Sequence, residues 1–256
     1  MEPVEIEGSP LKYAIRPCET LAELAALIEI QQDIWGYAEH EVYPLRLFVT
    51  LERIGGQVLG AFTPQGSLVG FAASMPAWHG LKRYYHSLSL GVLRAHENRG
   101  LGRALKMAQR RAALQAGIDL IEWTFDPLRA KNAFLNIVRL GAMARHYRPD
   151  YYGEVASRFQ RGLPSDRLIA EWRLDSARVK RALAGKAPRS SQAEPAATAE
   201  IPADIDQLRH SDPREARRRQ AALRQQLQTC FAQKLAITGF EFDARSARYL
   251  LDPYED

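Results

Sequence analysis

Apolar positions along this chain recur with two periods. Leu21, Leu24, Ala25, Ile28 and Trp35 follow helical spacing behind Thr20-Leu21-Ala22-Glu23, a capping box in which the threonine and the glutamate satisfy each other's backbone amides. A second helix is expected from Pro44, with proline at the first helical position, to the stop at Gly55-Gly56. Strands are expected at Tyr13 to Arg16, Gln57 to Phe62, Leu68 to Met75 and His86 to Leu93, the last with Leu88, Leu90 and Val92 on one face. A helix from about Gly100 to Gln115 follows, then a strand from Ile118 to Phe125, a helix from about Lys131 to Leu140, and a strand near Asp166 to Leu174. The order β-α-α-β-β-β-α-β-α-β predicts an α/β fold, a mixed sheet with helices on both faces.

The pattern changes after Asp175. Ala182 to Ala203 is rich in Ala, Pro, Ser and Glu with almost no large apolar residue, and reads as a linker. This predicts a main domain over 1–176, a linker over 177–203 and a small C-terminal helix-plus-hairpin appendage over 204–256. In the appendage, Asp212-Pro213-Arg214-Glu215 starts a helix with the stripe Ala216, Leu223, Leu227, Cys230 and Phe231, and Leu235 to Phe242 with Arg248 to Leu251 reads as a hairpin. One helix and two strands bury too little to stand alone. They are expected to dock on the main domain or on a partner subunit, so a homodimer through this appendage is left open.

Composition changes this picture little. The chain has 256 residues, 46% hydrophobic and 25% charged, with a net charge of +5. It can bury a large core without disulfide or metal staples. Cys18 and Cys230 are too few and too far apart for a disulfide framework or a zinc set. No signal peptide is visible at the N-terminus, and no apolar run approaches the roughly 18–20 residues of a membrane helix. A cytoplasmic protein with no metal and no membrane partner is expected.

The charge excess suits an anionic ligand, and one stretch could bind it. A buried strand runs into Glu97-Asn98-Arg99-Gly100-Leu101-Gly102-Arg103, where a helix begins. A helix N-terminus offers free N–H groups and a positive dipole end. Gly100 and Gly102 let a phosphate approach the backbone, and Arg99 and Arg103 add charge. A Walker loop is absent, and Leu105 stands where a dinucleotide fingerprint needs its third glycine.

Leu90-Gly91-Val92 followed by NRGLGRAL, Asn98 to Leu105, resembles the coenzyme A signature of the GNAT superfamily of N-acyltransferases, [Q/R]-x-x-G-x-[G/A]. The resemblance covers about Tyr13 to Leu174, and HSLSLGV, WTFDPL and GLPSDRLIAEW resemble an uncharacterised branch of that superfamily. It implies a GNAT-like fold and an acetyl-CoA or other acyl-CoA co-substrate. The pyrophosphate would lie at Arg99, Gly100, Leu101, Gly102 and Arg103, the pantetheine arm along Val92 and Leu93, and a further CoA contact at Asn132. Two positions depart from the family pattern: Glu97 stands at the Q/R position, and Ile137 stands where a general-acid tyrosine is expected.

Amide formation also needs a proton acceptor for the amine. His86, at the start of its strand, is the candidate base, against an ordinary strand-end histidine. Ser87 and Ser89, facing away from Leu88 and Leu90, are candidates to line the acceptor side, and Asp126 to hold a substrate ammonium or to cap a helix. Tyr147, with Tyr151 and Tyr152, is a candidate substitute for the missing acid. Trp78, His79, Tyr84 and Tyr85 are expected in a loop before the central strand that shapes the acceptor pocket.

These readings converge on an acyl-CoA-dependent N-acyltransferase, with acetyl as default donor and a larger acyl such as succinyl open. Its acceptor would be a small primary amine, amino acids included. A CoA-binding module with little turnover is the alternative. A weaker one is a nucleic-acid-associated protein using Arg214, Arg217, Arg218, Arg219 and Arg224, which read more simply as a solvated helix face.

Overall fold

The computed structural model describes residues 13–154, 162–189, 194–243 and 247–254. They fall into two compact units, one up to Glu122 and one from Trp123.

The first unit is built from β1 (Ala14–Pro17), α1 (Leu21–Trp35), α2 (Leu45–Arg53), β2 (Gln57–Phe62), β3 (Leu68–His79), β4 (Lys82–Val92), α3 (Leu101–Gln115) and the start of β5 (Leu120–Phe125). Its strands run in sequence order, antiparallel through β4, and β5 joins β4 in parallel at Tyr85↔Ile121 and His86↔Glu122. Alternation along β2 and β3 separates two apolar layers. Val58, Phe62, Phe71 and Ala73 pack with Leu24, Leu27, Ile34, Phe48 and Leu51 of α1 and α2. Leu59, Ala61, Val69 and Ala72 pack with Leu101, Leu105 and Ala108 of α3 on the opposite face. The Thr20–Glu23 capping box forms as the sequence predicts.

Two expectations change here. Pro44 is the cap before α2 rather than its first residue, its extended backbone feeding a helix that starts at Leu45. The expected aromatic loop before the central strand is instead a continuation of β3 and β4, with Pro76↔Tyr85, Ala77↔Tyr84 and Trp78↔Arg83 in register. The stacked His79 and Tyr84 rings, 4.2 Å apart, join the two strands across this extension, and Gly80, at φ 60°, makes the tight turn. His86 therefore lies within β4, not at its start.

The second unit continues from the end of β5 through α4 (Ala130–Ala133), a π-helical turn at Phe134–Arg139, β6 (Met143–Arg148), β7 (Arg167–Arg173), α5 (Ala177–Leu183), β8 (Ala197–Ile201), α6 (Ile205–Ser211), α7 (Pro213–Ala232), β9 (Leu235–Phe242) and β10 (Ala247–Pro253). Its strand order is β5-β7-β6-β9-β10-β8. The C-terminal hairpin docks on its own chain, β9 pairing with β6 at Ala144↔Ile237. The stretch read as a linker contains α5 and β8, and β8 buries Ala199 and Ile201 with Glu200 outward. Period-2 alternation was present there, but small side chains and short length hid it. β6 is not among the strands the sequence predicts, because its buried positions are only Ala144 and Tyr147 amid His and Arg. Residues 1–12 and residues 244–246, where the sequence predicts the hairpin turn, lie outside the described residues. Among the described residues no helix is long and apolar enough to cross a membrane.

Candidate functional site

The glycine loop has the geometry of an anion cradle. β4 ends at Val92, and a single 3-10 turn over Arg94–His96 turns the chain toward α3. Asn98 and Gly100 then take left-handed backbone, φ 58° and 79°. Asparagine and glycine are the residues that adopt it most readily. Gly100 caps α3 with no side-chain hydrogen bond. The first-turn N–H groups of Leu101, Gly102 and Arg103 are thus left with the orphan character of a helix start, where turns of this kind form concave anion sites.

The side chains around this turn divide into anchors and donors. Leu101, 1% exposed, plants the helix start in the core, so only its N–H faces outward chemistry. Tyr13, fully buried, meets His96 Nδ1 at 2.9 Å, and Arg99 Nη1 donates to the Tyr13 hydroxyl at 3.3 Å. Arg103 Nε is buried without a hydrogen-bond partner among the described residues. A buried donor of this kind is costly unless a ligand completes it. Glu97 is exposed. Leu93 departs from its expected role: its N–H donates to the Val69 carbonyl at 2.9 Å, which leaves that group unavailable to pantetheine.

On β4 a bulge reorganises the expected faces. Register passes from Ala73↔Ser89 to Ser74↔Ser87, so Leu88 is the extra residue. Leu88 packs with the α1–α2 layer and Leu90 with the α3 layer, correcting the expectation that Leu88, Leu90 and Val92 share one face. Ser87 and Ser89 are thereby separated. Ser87 is buried against α3, where Lys106 Nζ donates to its Oγ at 2.9 Å, and Gln109 Nε2 donates to it at 3.3 Å. Ser89 pairs with Ala73 and is half-buried. Ser74 and Gln57 extend the cluster: Ser74 Oγ donates to Gln57 Oε1 at 2.6 Å, and Gln57 Nε2 to the Gln109 carbonyl at 3.2 Å.

His86 is partly buried, in register with Met75 of β3 and Glu122 of β5. Burial first, and the Lys106 charge second, hold its imidazole below the ordinary value, which favours the neutral form that accepts a proton. Burial lowers Lys106 from its ordinary 10.5 to about 7. Sequence reasoning missed Lys106, Gln109 and Gln57, because a lysine in a helix rich in charge reads as solvated. Lys106 directly follows the apolar position Leu105, the one weak sign of its burial.

In the second unit three candidates have structural partners instead. Asp126 accepts from the Leu128 N–H at 2.9 Å and from Arg209 Nη2 at 3.2 Å, so its carboxylate holds a turn and an ion pair rather than facing a substrate ammonium. Tyr147 donates to Asp166 Oδ2 at 2.6 Å, and burial together with that carboxylate pushes its pKa up, which makes it a poor acid. Ile137 is fully buried. Asn132 lies exposed on α4. Tyr151 and Tyr152 are each 46% exposed, with the Tyr152 hydroxyl 2.8 Å from Thr124 Oγ1. The basic face of α7 is largely paired internally: Arg218 and Arg219 with Glu215, Arg224 with Asp166, and Arg217 with the Gly162 carbonyl. Among the described residues no cluster of three or more His, Cys, Asp or Glu is placed to hold a metal.

Comparison with known proteins agrees with the geometry. Residues 24–135 match the sequence profile of the acetyltransferase (GNAT) family. The chain is similar to yncA of Salmonella typhimurium, solved with its cofactor acetyl-CoA, at 20% identity and TM-score 0.50, covering 64% of this chain and 95% of that one. It is likewise similar to the ribosomal-protein-S18-alanine N-acetyltransferase of Escherichia coli, at 19% identity and TM-score 0.50, covering 64% and 96%. No curated protein matches. The two-layered first unit, the turn into α3 and the family match over overlapping residues converge: residues 24–135 match the acetyltransferase (GNAT) family, and the chain has the GNAT fold.

Proposed function

We propose that the protein transfers an acyl group, by default acetyl, from acyl-CoA to a primary amine of a small molecule. The observation that carries this reading is the uncapped start of α3 beside the partnerless Arg103 Nε. The N–H groups of Leu101, Gly102 and Arg103, with the Arg99 and Arg103 side chains, would hold the CoA pyrophosphate, and Val92 would contact the rest of the cofactor. The thioester supplies an activated acyl group. Holding an amine against it accounts for roughly 7–11 kcal/mol of barrier lowering. His86 takes the proton from the attacking amine, and Ser89 borders the acceptor.

A second reading, CoA binding with little turnover, is favoured by one observation. The position of the expected acid tyrosine is the buried Ile137, and the Tyr147 hydroxyl is bonded to Asp166. Loss of a general acid costs about 10²–10⁴ in rate, so slow transfer and no transfer are both compatible with this geometry. Calorimetric titration with CoA, acetyl-CoA and succinyl-CoA tests the shared part. Saturable binding is the expected result, and no heat at millimolar ligand would overturn both readings. Thiol release from acetyl-CoA in the presence of an amine panel then separates them.

A further inference from the structure

Lys106 is a buried ionisable group for which CoA binding and His86 catalysis provide no role. It lies on α3 with 3% exposure, its Nζ bonded to Ser87, the residue next to His86 and next to the β4 bulge. Ser87 in turn accepts from Gln109, and Ser74 and Gln57 close the network behind β2, β3 and β4. A lysine serving only as packing could be replaced by an apolar residue with little loss, because burying an ammonium is expensive. What an apolar residue cannot supply is a charge held at a fixed place behind the strand, in surroundings that screen it little.

We propose that Lys106 is a positioning residue that keeps His86 in its neutral, proton-accepting form by holding a positive charge behind β4 through Ser87. The inference rests on His86 as the base of the proposed reaction. The groups in register with His86 are Met75 from β3, which carries no charge, and Glu122 from β5. Both Glu122 carboxylate oxygens lie 3.1 Å from His79 Nε2, so its charge is shared with that imidazole. From α3 the charge acting on His86 is Lys106. Lys106 titrates near 7 and His86 below its ordinary value, so the lysine is charged over the range in which His86 would gain its proton. Repulsion then extends the neutral imidazole to lower pH.

The test is an NMR titration of the His86 ring in the full chain, with neither CoA nor acceptor present. In Lys106→Met, which keeps the length of the stem, the His86 midpoint should rise by about one pH unit. In Ser87→Ala, which removes the hydrogen bond but keeps the charge, it should move much less. An unmoved midpoint in a folded Lys106→Met protein overturns the proposal. Should that variant fail to fold, the unaltered protein decides: coupling appears as a second inflection in the His86 shift as Lys106 titrates. A single inflection at about 6.5, the ordinary histidine value, overturns it. Where acetyl transfer is measurable, the acid limb of kcat/KM should move by the same amount as the NMR midpoint. A coupled titration without turnover would sink His86 as base while leaving the electrostatic coupling in place.

Discussion

The start of α3 and the C-terminal part of the second unit treat charge in opposite ways. Around α6, α7 and β10 four arginines end on carboxylates: Arg209 on Asp126, Arg129 on Asp206, Arg224 on Asp166, and Arg189 on Asp252, which also accepts from Thr238. At the glycine turn the helix start has no side-chain cap, Arg103 Nε lacks a partner among the described residues, and a lysine beneath the adjoining strand titrates near neutrality. Carboxylate pairing turns these guanidinium groups onto their own chain. Incomplete pairing costs stability, and the missing partner has the chemistry of an anion. The proposed function uses the first region and takes the second as scaffold.

The strongest way to break this contrast is to put a negative charge where the anion is expected. Gly102→Glu should leave the helix intact, since an acidic residue suits its first turn. Like charges placed together cost several kcal/mol, so acetyl-CoA affinity should fall by more than about a hundredfold in calorimetry. Affinity within twofold of the unaltered protein would remove the pyrophosphate assignment.

The converse change is Asp166→Ala. Asp166 is fully buried and receives Arg224, Tyr147 and the Asp150 N–H. Breaking such a pair costs about 3–5 kcal/mol, and the 31% exposure of Arg224 places the loss near the lower end, about 3 kcal/mol in denaturant unfolding. CoA affinity should not change. A variant that kept its stability would show that full pairing here is not structural.

Two smaller effects sharpen the first region. Arg103→Met should weaken CoA binding about ten- to hundredfold, the worth of one hydrogen bond to a charged group, with the melting temperature held or raised. Lys106 should also give stability a pH slope. Its folded value near 7 lies below the ordinary 10.5, so between these limits the unfolded chain binds the extra proton. Stability from this group is therefore complete above about 10.5 and falls as pH drops toward 7. From pH 9 down to pH 7 the loss should be up to about 2 kcal/mol, and Lys106→Met should flatten that slope in parallel unfolding curves. An unchanged slope would place Lys106 in a solvated setting.

Legibility in the sequence followed local physics. The capping box at Thr20, the bounds of β2 and β9, and the helix beginning after Gly100 were readable because neighbours in sequence decide them. The glycine turn into α3 was readable for the same reason, glycines and a helix start being local. The roles of Tyr147, Asp126 and Ser87 were not, since each turns on a partner 19 to 83 positions away. The bulge at Leu88 was invisible as well: a strand's faces follow strict alternation until a long-range pairing inserts one residue.

By itself, then, the sequence determined the order of helices and strands through most of the first unit and the glycine turn from Asn98 to Arg103. Backbone preference and capping act over only a few residues. Tertiary structure alone decided that β8 would form from a weak segment, that the C-terminal hairpin would pair with β6 of its own chain, and that Lys106 would be buried behind His86. Those outcomes rest on burial and on cross-strand partners, and neither exists until distant parts of the chain have met.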